Sequence, residues 1–262
     1  MNIESIDINR FHYSSFRTAF RDEAPLKQNL PFFCIAQSKV GRYAVTLNNE
    51  KEKFTQEGGF YIAPSFASQR LRHLVNAKTR DFLGRYLFLD VIINKRFRIG
   101  DLYTPPTVTD SESSRIIDRL FDKYEESESY CSKMSVIYSI IDTVIGASRE
   151  LDVASNMDIY ISLEYMHEHY RENITVADMA GLIKTSPSNF HNLFKSATGK
   201  SPIKYLNDIR LSLACDMLLQ QDKSIAEISE AVGIPDQFYF SRLFKQRYDV
   251  SPMQYKKRIF WQ

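Results

Sequence analysis

The chain has 262 residues, 44% of them hydrophobic and 25% charged, a balance that excludes an intrinsically disordered chain and allows two ordinary domains. A net charge of +2 does not by itself point to a nucleic-acid partner. Cys34, Cys131 and Cys215 stand far apart without CxxC spacing, which argues against a disulfide framework or a zinc site and makes the reducing cytoplasm the expected location.

Residues 1–7 hold no basic region followed by an apolar run and are not expected to act as a signal peptide. Residues 32–37 and 42–47 read as strands, the second alternating Tyr43, Val45 and Leu47. A polar turn at 48–53 follows, and Gly58-Gly59 makes another before a strand at 60–63 that Pro64 ends. Residues 83–93 form a further apolar strand region. Its core, 86–93, is too short to cross a bilayer and is interrupted by Asp90, so no membrane partner is expected. Several short strands in succession predict a small barrel or jelly roll.

A metal-binding barrel needs clustered histidines, and this half offers only His12 and His73, so no metal and no cofactor are expected. No catalytic set, P-loop or GxGxxG is visible. Cys34 in an apolar strand and Cys131 in a polar segment lack a neighbouring His or Arg that would activate a thiolate. Arg70, Arg72, Arg80 and Arg85 either face an anionic effector or line a solvated strand edge, the second being favoured. Residues 111–126 and 133–151 read as amphipathic helices. Their Ile116, Leu120, Phe121, Ile137, Ile140, Ile141, Val144 and Ile145 exceed one stripe, which predicts packing on the barrel or pairing in a homodimer. Residues 152–157 read as a linker between domains at 1–151 and 157–262.

The last hundred residues contain a repeat. Asn189-Phe190-His191-Asn192-Leu193-Phe194-Lys195 matches Tyr239-Phe240-Ser241-Arg242-Leu243-Phe244-Lys245 at an offset of 50, and Ser201-Pro202-Ile203-Lys204-Tyr205 matches Ser251-Pro252-Met253-Gln254-Tyr255. Upstream, Thr175 to Ala180 matches Ser224 to Ser229 at an offset of 49, which places one extra residue in the second copy, in the turn near Gly233. Each copy reads as helix, turn, helix. Thr175 with Asp178, and Ser224 with Glu227, are capping boxes; Gly233 supplies a positive φ in the turn. The second helices, at about 187–197 and 236–248, place Phe190, Leu193 and Phe194, and Phe240, Leu243 and Phe244, at core spacing. Between the copies, 202–220 reads as one helix roughly 27 Å long, comparable with the ~34 Å between successive major-groove faces of B-DNA. In it, Asp208 and Arg210 are placed to pair with neighbouring helices. Lysines 184, 195, 200 and 204 stand in a stretch without acids, and 237–262 carries six basic residues against Asp249.

These residues resemble the DNA-binding domain of the AraC/XylS family of transcription regulators, over about 157–258. The resemblance rests on 174–183, 188–195, the TGKSP run at 198–202, SIAEISEAVG at 224–233 and FYFSRLFK at 238–245. It implies seven helices, the third and sixth entering the major groove of double-stranded DNA. Carried over by position, the base-reading candidates are Ser188, His191, Asn192, Gln237, Phe238, Tyr239, Ser241 and Arg242. Lys195 and Lys245 are the phosphate contacts. Asn192 departs from the arginine often found there. The resemblance also implies a cupin-like effector domain in the first half, with 58–64 as its central strand and turn. The expected whole is an α+β chain: a transcription activator with control through a small-molecule or protein effector, and RNA polymerase as a further partner. The alternative is a DNA-binding domain fused to an alkyl-acceptor or cupin-type enzymatic module.

Overall fold

The structure, a computed structural model, describes residues 3–18, 26–30, 32–151, 157–219 and 223–258. The chain divides into two units, Asn2–Glu150 and Leu151–Gln262. Of the predicted linker, residues 152–156 lie outside the described residues, and Met157 opens a helix.

The first unit runs β1 (Ile6–Thr18), β2 (Leu26–Asn29), β3 (Phe33–Val40), β4 (Arg42–Leu47), β5 (Lys53–Phe54), β6 (Phe60–Ala63), β7 (Ser68–Leu74), β8 (Phe82–Ile93), β9 (Phe97–Arg98), α1 (Ile99–Leu102), β10 (Tyr103–Thr104), α2 (Ser111–Glu126), α3 (Tyr130–Gly146) and β11 (Arg149–Glu150). One antiparallel sheet is ordered β1-β8-β3-β6 with β9 on β8, and the other β2-β7-β4-β5. Cys34, Ala36, Tyr61, Ala63 and Phe82 from the first sheet pack with Tyr43, Val45, Leu47 and Leu71 from the second. Tyr43 sits at the centre, its ring 4.8 Å from that of Tyr61 and 4.9 Å from that of Phe82. The four predicted strands correspond to β3, β4, β6 and β8. Polar residues break the alternation in IDINRFHYSSFRT and SQRLRHL, so β1 and β7 were not predicted; they are held by pairing along β8 and between β2 and β4.

The first sheet is covered on its other face by α2. Phe121 packs edge-on against Phe60 at 5.1 Å and Tyr13 at 5.5 Å. Arg85 on β8, only 3% exposed, sends its guanidinium to Asp118 at 2.5 Å, Asp122 at 2.7 Å and Glu125 at 3.4 Å, all on α2. Its Nε donates to Gln37 Oε1, and Gln37 Nε2 donates to Asp118 Oδ1 at 2.6 Å. A buried cation is thus paired with carboxylates at i, i+4 and i+7 of one helix, which fixes the helix register on the sheet. This corrects the expectation for the four arginines, which do not act as one set. Arg85 is committed to α2, and Arg72 pairs with Glu52 at 2.8 Å. Arg70 and Arg80 are exposed, Arg70 on β7 inside its sheet rather than at an edge.

The helix α3 differs from its predicted bounds. It begins at Tyr130 because Ser129 caps it, accepting from the Ser132 N–H at 3.1 Å. It stops at Gly146, and Arg149 and Glu150 pair with Thr104 and Tyr103 instead of continuing the helix. The expected surplus of apolar surface also shrinks. Ile117, Phe121, Ile137, Ile140, Ile141 and Val144 are buried within the unit. Leu120 and Ile145 are half-buried, and the exposed large apolar side chains here are Ile116, Tyr130 and Tyr138.

The second unit is helical: α4 (Met157–His169), α5 (Val176–Leu182), α6 (Pro187–Thr198), α7 (Pro202–Leu219), α8 (Ile225–Ala231), α9 (Gln237–Tyr248) and α10 (Pro252–Arg258). Both capping boxes form, Thr175 with Asp178 and Ser224 with Glu227. The two copies share their geometry. Thr185 N–H donates to Ala180 O at 3.0 Å, and Ile234 N–H to Ser229 O at 3.0 Å. Phe194 meets Tyr205 at 5.6 Å and 79°, and Phe244 meets Tyr255 at 5.4 Å and 78°. Lys184 and Gly233 occupy the same turn position with φ of 52° and 78°. The helix caps that follow are Ser186 and Asp236, so the extra residue of the second copy is Pro235. Leu193, predicted for the core, is 38% exposed, and Leu243 is half-buried. The buried stripe runs 190-194 and 240-244-248, and a residue three places after its first member falls on its flank.

Helix α7 ties the copies together. Asp208 accepts from Lys200 at 2.7 Å, in the loop after α6, and from Arg247 at 3.3 Å, on α9. Arg210 donates from Nε to Tyr170 O and from Nη2 to Glu172 O, each at 2.7 Å, closing the end of α4. Gly233 presses on the same turn: a Cβ there would lie 2.7 Å from Tyr170 O and 2.8 Å from Arg171 Cα.

Two substitutions test these contacts in urea or thermal unfolding of the full chain. Gly233→Ala is expected to cost at least ~2 kcal/mol, from its φ and the overlap together, whereas Lys184→Gly at the equivalent turn changes stability by less than ~1 kcal/mol. Equal effects would contradict the close approach. Arg85→Met leaves three carboxylates on one another. The cost expected is ~2–3 kcal/mol, below that of a fully buried pair because those carboxylates keep 40–47% exposure. Burial pushes the Asp122 carboxyl up, but Arg85 and then Lys39 outweigh it, leaving its pKa below the ordinary range. A depressed carboxylate stabilises above its unfolded pKa and loses that contribution as pH falls through the folded value. The gap between wild type and Arg85→Met is therefore expected to narrow below about pH 4; a gap that widens on acidification would contradict this.

Candidate nucleic-acid interface

Helices α6 and α9 each turn an aromatic stripe inward, Phe190 with Phe194 and Phe240 with Phe244, all fully buried. The opposite faces are exposed and, apart from Phe238 on α9, polar. On α6 these are Ser188, Asn192 and Lys195, with His191 half-buried on the flank. On α9 they are Gln237, Phe238, Tyr239, Arg242 and Lys245, with Ser241 half-buried at the position equivalent to His191. The structure therefore gathers the sequence-predicted residues onto two helix faces, in the same order on each.

The start of each helix is fixed by its cap. Ser186 Oγ accepts the Asn189 N–H at 3.3 Å, and Asn189 Nδ2 donates to Thr185 Oγ1 at 2.8 Å. Asp236 Oδ1 accepts the N–H groups of Phe238 at 2.8 Å and Tyr239 at 3.0 Å. Lys195 and Lys245 lie in the last turns, where cations are favoured by the helix dipole. Each helix ends in a left-handed residue, Gly199 or Asp249, that donates its N–H to the carbonyl of that lysine. The Arg242 guanidinium sits 5.3 Å from the Tyr239 ring centroid, a cation–π contact that restrains it. The sequence did not indicate this pairing, although its i, i+3 spacing was there to be read.

Cys34 is buried against the Tyr61 hydroxyl at 3.5 Å, and burial pushes its thiol up to about 12, the Tyr61 hydrogen bond offsetting only part of this. Such a thiol is not a thiolate nucleophile at neutral pH. Among the described residues no group of three or more His, Cys, Asp or Glu side chains is placed to hold a metal ion, and no helix is long and apolar enough to cross a membrane.

Residues 179–258 match the family model of a helix-turn-helix domain. The MmsAB operon regulatory protein of Pseudomonas aeruginosa is 34% identical over 95 residues, 36% of this chain and 31% of the relative. The lactose operon transcription activator of Staphylococcus xylosus is 32% identical over 109 residues, 42% of this chain and 39% of the relative. The match thus spans well under half the length of these relatives. The ToxT structure from Vibrio cholerae O395, bound to (E)-4-(8-methylnaphthalen-1-yl)but-3-enoic acid, covers 94% of this chain and 98% of its own, with a TM-score of 0.57 and 14% identity. At that identity the likeness is one of fold: a β-rich N-terminal unit followed by a helical one. With the duplicated geometry above, these matches identify residues 179–258 of the C-terminal unit as a helix-turn-helix domain.

Proposed function

We propose that the chain is a sequence-specific DNA-binding transcription regulator, not an enzyme, that works in the cytoplasm as an activator. In this reading α6 and α9 enter two adjacent major-groove segments. Ser188, His191, Asn192, Gln237, Phe238, Tyr239, Ser241 and Arg242 face base edges, and Lys195 and Lys245 face phosphates. The observation that carries it is the repeated helix-turn-helix geometry on the 18-residue α7, with Asp208 holding both copies. At 1.5 Å per residue α7 is about 27 Å long, close to one groove period.

Control is assigned to the N-terminal unit, supported by ToxT, which shares the fold and has been solved with a small carboxylic acid bound. The activator role is supported by the lactose operon relative, which is named an activator. An activator of this kind works by meeting RNA polymerase at the promoter. Exposed Ile116, Tyr130 and Tyr138 support pairing of two copies through this unit. A pair would protect two sites side by side on DNA, a single copy only one.

Binding titrations of a site selected from random duplexes test the assignment of roles. Arg242→Ala is expected to lose roughly 5- to 150-fold of discrimination for that site, the worth of a bidentate contact to guanine. Lys245→Ala is expected to weaken all sequences alike and to reduce the salt slope by about one unit. Unchanged discrimination in Arg242→Ala would contradict the assignment.

A further inference from the structure

We infer that Phe238 is a thymine reader, its ring seated against the 5-methyl group of one thymine beside the base that Arg242 meets. This rests on the reading that α9 enters the major groove. Phe238 is 89% exposed, the most exposed large hydrophobic side chain among the described residues. It is the second residue of α9, and its N–H is held by the Asp236 carboxylate at 2.8 Å, so the turn that carries it is fixed. The N-terminal turn of a recognition helix is the part that reaches base edges.

Position and chemistry narrow the ligand. Phe238 stands four residues before Arg242 and seven before Lys245, so the three share one stripe of the helix. Arg242 leans on Tyr239 at 5.3 Å, which places the Tyr239 ring, rather than that of Phe238, beneath the guanidinium. A phenyl ring offers no donor or acceptor, so it cannot pair with the hydrogen-bonding groups of guanine, cytosine or adenine, and it carries no charge for a phosphate. The one apolar group that a base pair presents in the major groove is the thymine methyl. The equivalent position on α6 is Ser188, so the preference belongs to the second segment alone.

The test uses the full chain and synthetic DNA. Sites are selected from randomised duplexes, and each thymine of the selected site is then replaced singly by deoxyuridine, which removes only the methyl group. One thymine in the α9 segment is expected to lose about fourfold in affinity on replacement, the worth of one buried methyl. Phe238→Ala is expected to lose that sensitivity, with its melting temperature unchanged because the side chain is exposed. The inference is overturned if no thymine shows a methyl effect, or if Phe238→Ala keeps the same effect, which would leave the ring to a protein partner. Failure to enrich any sequence would overturn the DNA-binding reading itself, and this inference with it.

Discussion

The turn that ends α4 is gripped from two directions, and the geometry of the helical unit depends on that grip. Arg210 reaches across from α7 to the carbonyls of Tyr170 and Glu172, while the Gly233 backbone lies against Tyr170 and Arg171 with no room for a side chain. A guanidinium presents its donors in a fixed planar fork, so two carbonyls in its path set an orientation as well as a distance. The glycine lets the α8–α9 turn approach the same point. Helix α4, the connecting helix and the second helix-turn-helix therefore meet at one place, and Asp208 repeats the device between Lys200 and Arg247. Without these contacts the two copies would be linked only through α7 and the apolar core.

The copies use the same frame with different surface chemistry. The turn before α6 tolerates Lys184 at φ 52° because that turn does not carry the close approach made by Gly233. Pro235, the extra residue of the second copy, lengthens the turn before α9 without altering the caps or the aromatic stripe. On the outward faces, α6 carries a serine, a histidine and an asparagine where α9 carries a phenylalanine, a serine and an arginine. If α6 and α9 read DNA as proposed, the second copy carries more of the discrimination, since an arginine makes the stronger bidentate contact.

The helical unit was legible in the sequence for a local reason. Capping boxes, the Ser-Pro helix starts and the i, i+4 aromatic stripes are short-range signals, and here each is satisfied by residues within a few positions. Leu193 misled because a leucine on the edge of a stripe has the same spacing as one inside it. The N-terminal unit was only partly legible, because its logic is long-range. The polar-looking β1 becomes a strand by pairing with β8 some eighty residues away, and β7 by lying between β2 and β4. Arg85 read foremost as a solvated strand-edge cation because nothing near it in sequence announces Asp118, Asp122 and Glu125. The outward faces of α6 and α9 were legible as positions, whereas the Arg242–Tyr239 contact was not.

As proposed, one frame would present α6 and α9 to consecutive major-groove segments on one side of the duplex. Hydroxyl-radical and methylation footprinting of the full chain on a selected site measures this directly. Protection of two major-groove segments one helical turn apart on the same face, within about 20 base pairs for each bound copy, is expected. Protection of a single segment, or of two segments on opposite faces, would contradict it.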